Sequence, residues 1–351
     1  MTDRAGVAGA SREQRLRGCL LGGAVGDALG APVEFMRWPE IRANFGENGI
    51  VALTQLAGVA HVTDDTQMTL FTVEGLIRAR VGGDSGAAHG ASRCVHHAYL
   101  RWLETQGRHV ALPISRDGWL FGVAALHHPR APGTTCLAAL AAAEQIGAFA
   151  VNDRKGCGGV MRVAPCGFWP GDVGAAFALG SDCARLTHAH PTGHLAAGHL
   201  SAVVAGLADG STLATAIAAA NAVLATHAGH DETLRAVQRA AEQARQGPGR
   251  ERLAALGRGW IAEEALAIAL YCTLAEPDPL RCLALAVNHD GDSDSTGAIA
   301  GNLLGALHGA AWLPATWLDR LELRREIEKL ADDYASALAG EPLPADDYPG
   351  G

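Results

Sequence analysis

Two runs of glycine at four-residue spacing constrain the fold of this chain more than any other feature. One run lies near the N-terminus and one near the C-terminus, at Gly18, Gly22, Gly26 and Gly30, and at Gly297, Gly301, Gly305 and Gly309. In an α-helix, residues four apart share a face, and an interior glycine costs about 1 kcal/mol relative to alanine. Four in register require compensation, which the close approach of another backbone provides. We therefore predict that two glycine-lined helices cross tightly and join both ends of the chain in one core.

The composition is that of a globular protein with a well-buried core. Of 351 residues, 48% are hydrophobic and 19% are charged, which argues against a disordered chain. The formal net charge of -9 provides no electrostatic footprint for nucleic acid or an anionic membrane. The negative net charge does not exclude an anionic ligand, because helix N-termini, glycine-rich loops and metal ions supply local positive potential.

Helical patterns cover most of the chain. They predict helices over 12–30, 63–80, 86–105, 134–150, 191–208, 211–226, 229–245 and 318–338, whereas 37–62 is predicted to be irregular. Because no convincing strand pattern occurs, the sequence predicts a compact, all-α orthogonal helical bundle. We expect a single domain over 12–338, with flexible termini at 1–11 and 339–351.

The cysteines and the longest uncharged run bear on location. Eight cysteines show no CxxC spacing, and in apolar surroundings a free cysteine behaves as a small hydrophobic residue. With no signal peptide visible, we expect a reduced, cytoplasmic protein. The uncharged run 297–318 is long enough to raise the question of a membrane span, but it contains Asn302, His308 and Pro314 and follows an acidic cluster. We therefore predict a buried core helix and no membrane partner. We also expect a monomer.

Two acidic clusters, far apart in the chain, each precede a predicted helix. They are TDDT at 63–66 and DSDS at 292–295. Such residues cap the free N–H groups of a helix start, and for either cluster alone capping is the simpler explanation. Capping needs one side chain, however, and each cluster provides four that bear oxygen. Two such clusters favour a binuclear site for hard divalent cations, which prefer oxygen ligands.

Three further features are candidates for ligand contact. The loop GCGGVMR at 156–162 offers backbone N–H groups that could form a nest for phosphate, although it matches neither GxxxxGK[ST] nor GxGxxG. His188 and His190 are two apart, which does not suit a helical metal site. We expect a ligand-contacting or a buried, hydrogen-bonded His188. Asp117 could reach a substrate, but an aspartate in a loop of this composition is more often a turn residue.

Together the motifs resemble the ADP-ribosylglycohydrolase family, which includes dinitrogenase reductase-activating glycohydrolase and the ADP-ribosylarginine and ADP-ribosylserine hydrolases. The resemblance covers the chain from about Arg17 to Ala335. It rests on GGAVGDALG at 22–30 with Glu34, on TDDT at 63–66, MRVAP at 161–165, TH at 187–188 with HP at 190–191, and GDSDSTG at 291–297. Each motif alone is weak, whereas their order and spacing together are specific.

The resemblance implies an all-α fold with two Mg²⁺ or Mn²⁺ ions beside a cleft for ADP-ribose. The implied metal ligands are Thr63, Asp64, Asp65, Asp292, Asp294 and Ser295. Glu34 matches the family's gating glutamate, and either Glu34 or Asp65 is expected to orient the attacking water or carry a proton. The residues expected to contact the substrate are Asp117, Gly156, Cys157, Gly158, Gly159, Val160, Met161, Arg162, His188 and Ser293. Cys157 stands where relatives often have a polar residue.

The function implied by the resemblance is metal-assisted removal of ADP-ribose from a mono-ADP-ribosylated protein, with arginine as the first candidate for the linked residue. Asp117 is a candidate contact for the guanidinium group. The alternatives are serine-linked, nucleic-acid-linked or small-molecule-linked ADP-ribose, and a non-catalytic ADP-ribose-binding or immunity module. Nucleic acid is expected only as a modified substrate. All four aspartates of the two acidic clusters are present, which favours an enzyme over a binding module.

Overall fold

The computed structural model describes residues 9–82 and 88–349, and these ranges form fifteen α-helices. The helices are α1 (Arg12–Gly30), α2 (Trp38–Phe45), α3 (Asp64–Val81), α4 (Ala88–Thr105), α5 (Thr134–Ala141), α6 (Val173–Arg185), α7 (Pro191–Ala208), α8 (Leu213–Leu224), α9 (Asp231–Ala244), α10 (Arg250–Ala254), α11 (Ala262–Ala275), α12 (Pro279–Val287), α13 (Ser293–His308), α14 (Ala315–Leu318) and α15 (Arg324–Ala339). Within the same ranges the only β-structure is two isolated bridges. The predicted all-α fold is confirmed.

The two glycine-lined helices pack against each other as predicted. A Cβ atom built on Gly26 would lie 2.0 Å from the carbonyl oxygen of Gly297, and one on Gly22 would lie 2.4 Å from that of Gly301. Toward the ends, Gly18 faces Gly305 and Gly309 in the same way. Because the numbering rises along one helix as it falls along the other, α1 and α13 run antiparallel. The contact leaves no room for a side chain at these positions, which explains the glycines.

The same contact aligns the two ends of the chain at the functional site. At the C-terminal end of α1, a Cβ on Gly30 would lie 2.2 Å from the carbonyl oxygen of Ser293, the first residue of α13. Around this pair, α15 and α3 pack on α1, and α7, α11 and α12 pack on α13. The pairing of α1 with α13 therefore brings the segment after Gly30 beside the start of α13.

Differences from the prediction include one unpredicted helix and two shifted helix boundaries. α2 lies in the segment predicted to be irregular, where Pro39 occupies the first turn and the Glu40 carboxylate accepts from the N–H of Arg37 at 2.7 Å. α5 ends at Ala141 rather than near 150, and the following turn includes Gly147 at φ +93°. The last long helix begins at Arg324 rather than 318, because Leu323 adopts a left-handed conformation at φ +60°.

The flexibility of the termini stays a prediction, although the described parts of both ends make specific contacts. Ser11 caps α1 and forms a capping box with Gln14. After α15, the Tyr348 side chain is buried and its hydroxyl donates to Asp333, while Lys329 Nζ donates to Asp347 Oδ2 at 2.9 Å. Residues 1–8 and 350–351 lie outside the described residues. The segment 341–349 is thus docked on α15 by burial and ion pairing.

The uncharged run that follows the second acidic cluster ends as a helix at His308, where Gly309 has φ +73°. In the described ranges, no helix combines the length and the hydropathy that a membrane span requires.

Candidate metal centre and ligand loop

Three carboxylates from the two ends of the chain converge beside the first turn of α13. Glu34, Asp292 and Asp294 each have an oxygen within 4.8 Å of one of the others' oxygens. Glu34 follows α1 by one turn, and its N–H donates to the carbonyl of Gly30 at 3.0 Å. Asp292 is the N-cap of α13, yet its side chain accepts no bond from the helix's N–H groups. The Asp292 carboxylate is thus available for another role.

The first acidic cluster lies at the start of α3, as predicted. Thr63 is the N-cap, and its hydroxyl accepts from the N–H of Asp65 at 3.3 Å. The Oδ2 atom of Asp64 accepts from the N–H of Gly133 at 3.0 Å. Asp65 is buried, and its Oδ1 atom has no hydrogen-bond partner among the described residues. A buried carboxylate oxygen without a partner is costly, so its position fits a ligand rather than a cap.

The carboxylates of the two clusters lie close enough to act on one another electrostatically. Burial, followed by the negative charge of Asp294, raises the pKa of Glu34 to about 10. Burial also raises the pKa of Asp64 to about 8, and Asp294 again contributes. For Asp65 and Asp292 burial and the charge of Asp294 hold the pKa well above its ordinary value. Charges from opposite ends of the chain therefore act on one another, and a cation between them would relieve the repulsion.

The residues present fit a hard divalent cation. The donors are carboxylate and hydroxyl oxygens, which Mg²⁺ and Mn²⁺ prefer over soft sites. Ser295, at the second cluster, is buried, and its hydroxyl lies 3.8 Å from the sulfur of Met161. Together with the partnerless oxygen of Asp65, the cluster of Glu34, Asp292 and Asp294 could hold metal.

Asp27, in α1, supports the first acidic cluster and was not singled out by the sequence analysis. It is fully buried and accepts from the backbone N–H groups of Thr63 and Thr66 at 2.9 and 3.1 Å, and from both hydroxyls. Burial and the charge of Asp294 raise the Asp27 pKa to about 7. It therefore fixes the first turn of α3 against α1. The signal in the sequence was an aspartate inside an otherwise uncharged glycine-lined helix.

The glycine-rich loop packs on His188 and touches the acidic site. A Cβ on Gly158 would lie 2.8 Å from the sulfur of Cys136 and 3.2 Å from Cε1 of His188, so this position requires glycine. His188 is buried, and burial lowers its pKa to about 3, so its ring is neutral. The Cys157 thiol donates to Asp292 Oδ2 at 2.8 Å. The loop, His188 and the second acidic cluster are thus contiguous.

Three predicted substrate contacts have side chains that point into the protein. Val160, Arg162 and Ser293 are fully buried. The Arg162 guanidinium donates to the hydroxyl of Thr187 at 2.7 Å and lies 4.4 Å from the centre of the Tyr99 ring. In this structure these three residues have essentially no exposed surface, in side chain or backbone, through which to contact a ligand. Arg162 therefore supports the glycine-rich loop from within the core.

The structure does not bring Asp117 to the site, which corrects that prediction. Its carboxylate pairs with Arg78, at 2.9 Å. Arg78 lies on the last turns of α3, and Asp64 is its first residue. At 1.5 Å per residue the two are roughly 21 Å apart. Asp117 therefore belongs to the ion-pair cluster of Arg78 and Glu74 at the far end of α3.

The raised pKa values predict how the stability of the metal-free protein depends on pH. The carboxyl pKa is raised to about 8 for Asp64 and about 7 for Asp27, so the folded state retains protons that the unfolded chain releases near pH 4. The free energy of unfolding should fall as the pH rises from about 4 to about 8. With chelator present, we expect Tm to drop by about 5 °C between pH 5 and 8. Saturating Mn²⁺ should abolish this drop; a chelated protein whose Tm rises over the interval would contradict the assignment.

The fold and the site define a class: all-α proteins with a buried oxygen-donor centre beside a glycine-rich loop. A family model described as ADP-ribosylglycohydrolase matches residues 8–343, and the chain belongs to this family. The family supports a glycohydrolase activity on ADP-ribose.

Individual relatives agree with this membership. The chain is 28% identical over 347 residues to the ADP-ribosyl-[dinitrogen reductase] glycohydrolase of Rhodospirillum rubrum, covering 95% of this chain and 99% of the relative. A shorter match, 33% identical over 87 residues, is to an ADP-ribosylhydrolase of Bos taurus, covering 22% of this chain and 24% of that protein. A solved structure, an ADP-ribosylglycohydrolase-related protein complex, superposes with a TM-score of 0.66 at 26% identity, covering 93% of this chain and 99% of that one.

Proposed function

We propose that this protein is a metal-dependent hydrolase that releases ADP-ribose from a mono-ADP-ribosylated protein, with arginine as the linked residue. One observation carries the proposal: Glu34, Asp292 and Asp294 converge within 4.8 Å beside a buried Asp65 whose Oδ1 atom has no partner among the described residues. Buried carboxylates in this number are unfavourable unless a cation balances them. The family membership connects such a centre to ADP-ribose.

The proposed ligands of two Mg²⁺ or Mn²⁺ ions are Thr63, Asp64, Asp65, Asp292, Asp294 and Ser295. When bound, such ions would polarise ribose hydroxyls and lower the pKa of a water. Asp27 would keep Thr63 in place, since it accepts from both the backbone N–H and the hydroxyl of Thr63. The N–H groups of Gly156, Gly158 and Gly159 would bind the pyrophosphate, since glycines there let the backbone approach closely, whereas the N–H of Cys157 already donates to the carbonyl of Trp260.

Hydrolysis replaces the bond between ribose C1″ and the leaving nitrogen or oxygen by a bond to water. One proton must leave the water, and one must reach the leaving group. Asp65 and Glu34 are the candidates for these transfers. Asp65 has a free oxygen for a water, and Glu34 retains a proton in the metal-free site because burial and neighbouring carboxylates raise its pKa to about 10. Asp65→Asn protein that binds metal and keeps full turnover would remove Asp65 from this role.

The arginine linkage rests on the family resemblance and on the relative from Rhodospirillum rubrum, whose name gives a modified protein as its substrate. With Asp117 far from the centre, no guanidinium contact is assigned. Serine-linked, nucleic-acid-linked and small-molecule-linked ADP-ribose therefore stay as alternatives for the same chemistry. The non-catalytic binding module is the alternative outside enzymes. The predicted monomer and cytoplasmic location stay predictions.

The test is release of free ADP-ribose from an arginine-ADP-ribosylated protein, with Mg²⁺ or Mn²⁺, with chelator, and with Asp292→Ala. We expect release that needs metal and that falls at least about 100-fold in Asp292→Ala, because a metal ligand is lost. Asp117→Asn is the matched control, a carboxylate outside the site, and it should retain activity within about twofold. Release from serine-linked or nucleic-acid-linked substrate alone would overturn the arginine linkage. ADP-ribose binding without any release would favour the binding module.

A further inference from the structure

A strained and exposed aromatic residue directly follows Glu34. Phe35 has φ +67°, a left-handed conformation that bulky residues rarely adopt and that costs on the order of 1–3 kcal/mol. Its side chain is 71% exposed, so burial does not compensate for this cost. Instead the ring stacks on Trp260, with centroids 5.3 Å apart and planes 22° apart. An exposed stack on a strained backbone needs a reason other than core packing.

Trp260 belongs to the opposite wall of the site and is anchored there by its backbone. The Trp260 carbonyl accepts from the N–H of Cys157 in the glycine-rich loop at 3.2 Å. Two residues earlier, the carbonyl of Arg258 accepts from the N–H of Asp292 at 2.8 Å. Between them, a Cβ on Gly259 would lie 3.3 Å from Cβ of Asp292. The ring of Trp260 is therefore tied to the loop and to the start of α13.

The segment that carries Glu34 contacts the wall of Asp292 at a second point, where the N–H of Trp38 donates to Asp290 Oδ1 at 2.6 Å, but that bond lies four residues beyond Glu34. Its turn after α1 closes on itself through bonds from Val33 and Glu34 to the carbonyl of Gly30, at 2.9 and 3.0 Å. These bonds do not reach across to the wall of Asp292. The stack of Phe35 on Trp260 does, and it lies one residue from the carboxylate that joins Asp292 and Asp294.

We propose that Phe35 and Trp260 are positioning residues: their stack holds the Glu34 carboxylate against Asp292 and Asp294 and thereby strengthens cation binding at this cluster. The inference rests on the proposed function in taking the cluster as the cation site, and it adds Glu34 to the ligands proposed there. Metal ligands held by outer contacts lose roughly 10- to 100-fold in affinity when those contacts are removed. The stack acts through Glu34, so its effect should disappear when Glu34 is already absent.

The experiment is calorimetric titration of the chelator-treated full chain with Mn²⁺, without substrate. Phe35→Gly removes the ring and also relieves the left-handed backbone, so we expect Tm to stay within about 2 °C or rise while Mn²⁺ binding weakens roughly tenfold. Phe35→Tyr keeps the stack and should restore binding to within about twofold. Trp260→Leu removes the stack from the other side and should weaken binding as Phe35→Gly does.

A double-mutant cycle decides between positioning and an unrelated effect. In Glu34→Gln protein, adding Phe35→Gly should weaken Mn²⁺ binding by less than about twofold. The proposal would be overturned if both Phe35→Gly and Trp260→Leu bound Mn²⁺ with wild-type affinity. It would also be overturned if the loss of Mn²⁺ affinity in the double variant of Phe35→Gly and Glu34→Gln equalled the product of the losses in the two single variants. Because the readout is Mn²⁺ binding, a protein that releases no ADP-ribose in the assay above still gives a result here.

Discussion

Replacing Gly26 by alanine should remove most of the folded protein. The new Cβ would lie 2.0 Å from the carbonyl oxygen of Gly297 and 2.4 Å from its carbonyl carbon, both of them backbone atoms that cannot rotate away. The two helices would have to separate along their length. Overpacking of a core costs typically 1–3 kcal/mol, and with backbone on both sides we expect at least about 3 kcal/mol. The measurement is urea unfolding of purified protein, with the yield of soluble protein as a second readout.

Gly122→Ala is the matched control for this prediction. Gly122 is a glycine at which an added Cβ meets nothing within 4 Å, and its φ is in the ordinary range. Its free energy of unfolding should change by less than about 0.5 kcal/mol. Gly26→Ala protein that unfolds at the wild-type urea concentration would mean that α1 and α13 are not in backbone contact.

Asp294→Asn should abolish the metal response and yet stabilise the metal-free protein. The negative charge of Asp294 raises the pKa of Asp27, Glu34, Asp64, Asp65 and Asp292. Removing that charge relieves repulsion that only a cation relieves in the wild type. At a Mn²⁺ concentration 100–1,000 times Kd, the wild type should gain about 3–4 kcal/mol in unfolding free energy. The variant should gain almost none, while its Tm with chelator exceeds that of the wild type.

Asp290→Asn provides the control for this charge effect. Asp290 lies in the same stretch but is exposed, and its Oδ1 atom accepts from the N–H of Trp38 at 2.6 Å. Asparagine keeps that acceptor, so the Mn²⁺-induced rise in Tm should match the wild type. A rise of the same size in Asp294→Asn would place the cation elsewhere, whatever the activity of the variant.

The helices and their closest contact could be predicted from the sequence because both depend on local patterns. The four-residue glycine spacing predicted the α1–α13 contact, which the structure confirms at Gly22, Gly26, Gly297 and Gly301. The start of α3 at Asp64 followed from the capping residues before it. The predicted helix boundaries were wrong where the backbone conformation of a single residue determined where the helix begins or ends. The left-handed Leu323 delays the last helix to Arg324, and no propensity of leucine predicts that.

The parts of the site that depend on tertiary packing could not be predicted in the same way. Asp117 and Arg162 carry the charge that a ligand contact needs, but partners from distant segments of the chain, Arg78 and Thr187, already bind them. Asp27 was missed for the converse reason, since only the fold brings it under the first turn of α3. The sequence shows which chemical group a residue carries, whereas its partners in the fold determine whether that group is available to a ligand.

The pairing of α1 with α13 also sets when this protein can fold during its synthesis. The two helices begin at Arg12 and Ser293 and are each other's principal partners, so α1 lacks its partner until translation has reached α13. At roughly 5–20 residues per second, that interval is on the order of tens of seconds. The glycine-lined face of α1 stays unpaired throughout, and contacts between distant segments form slowly. A nascent chain therefore cannot assemble the cluster of Glu34, Asp292 and Asp294 until the segment around Ser293 has left the ribosome, and a chain terminated before that segment lacks the cluster.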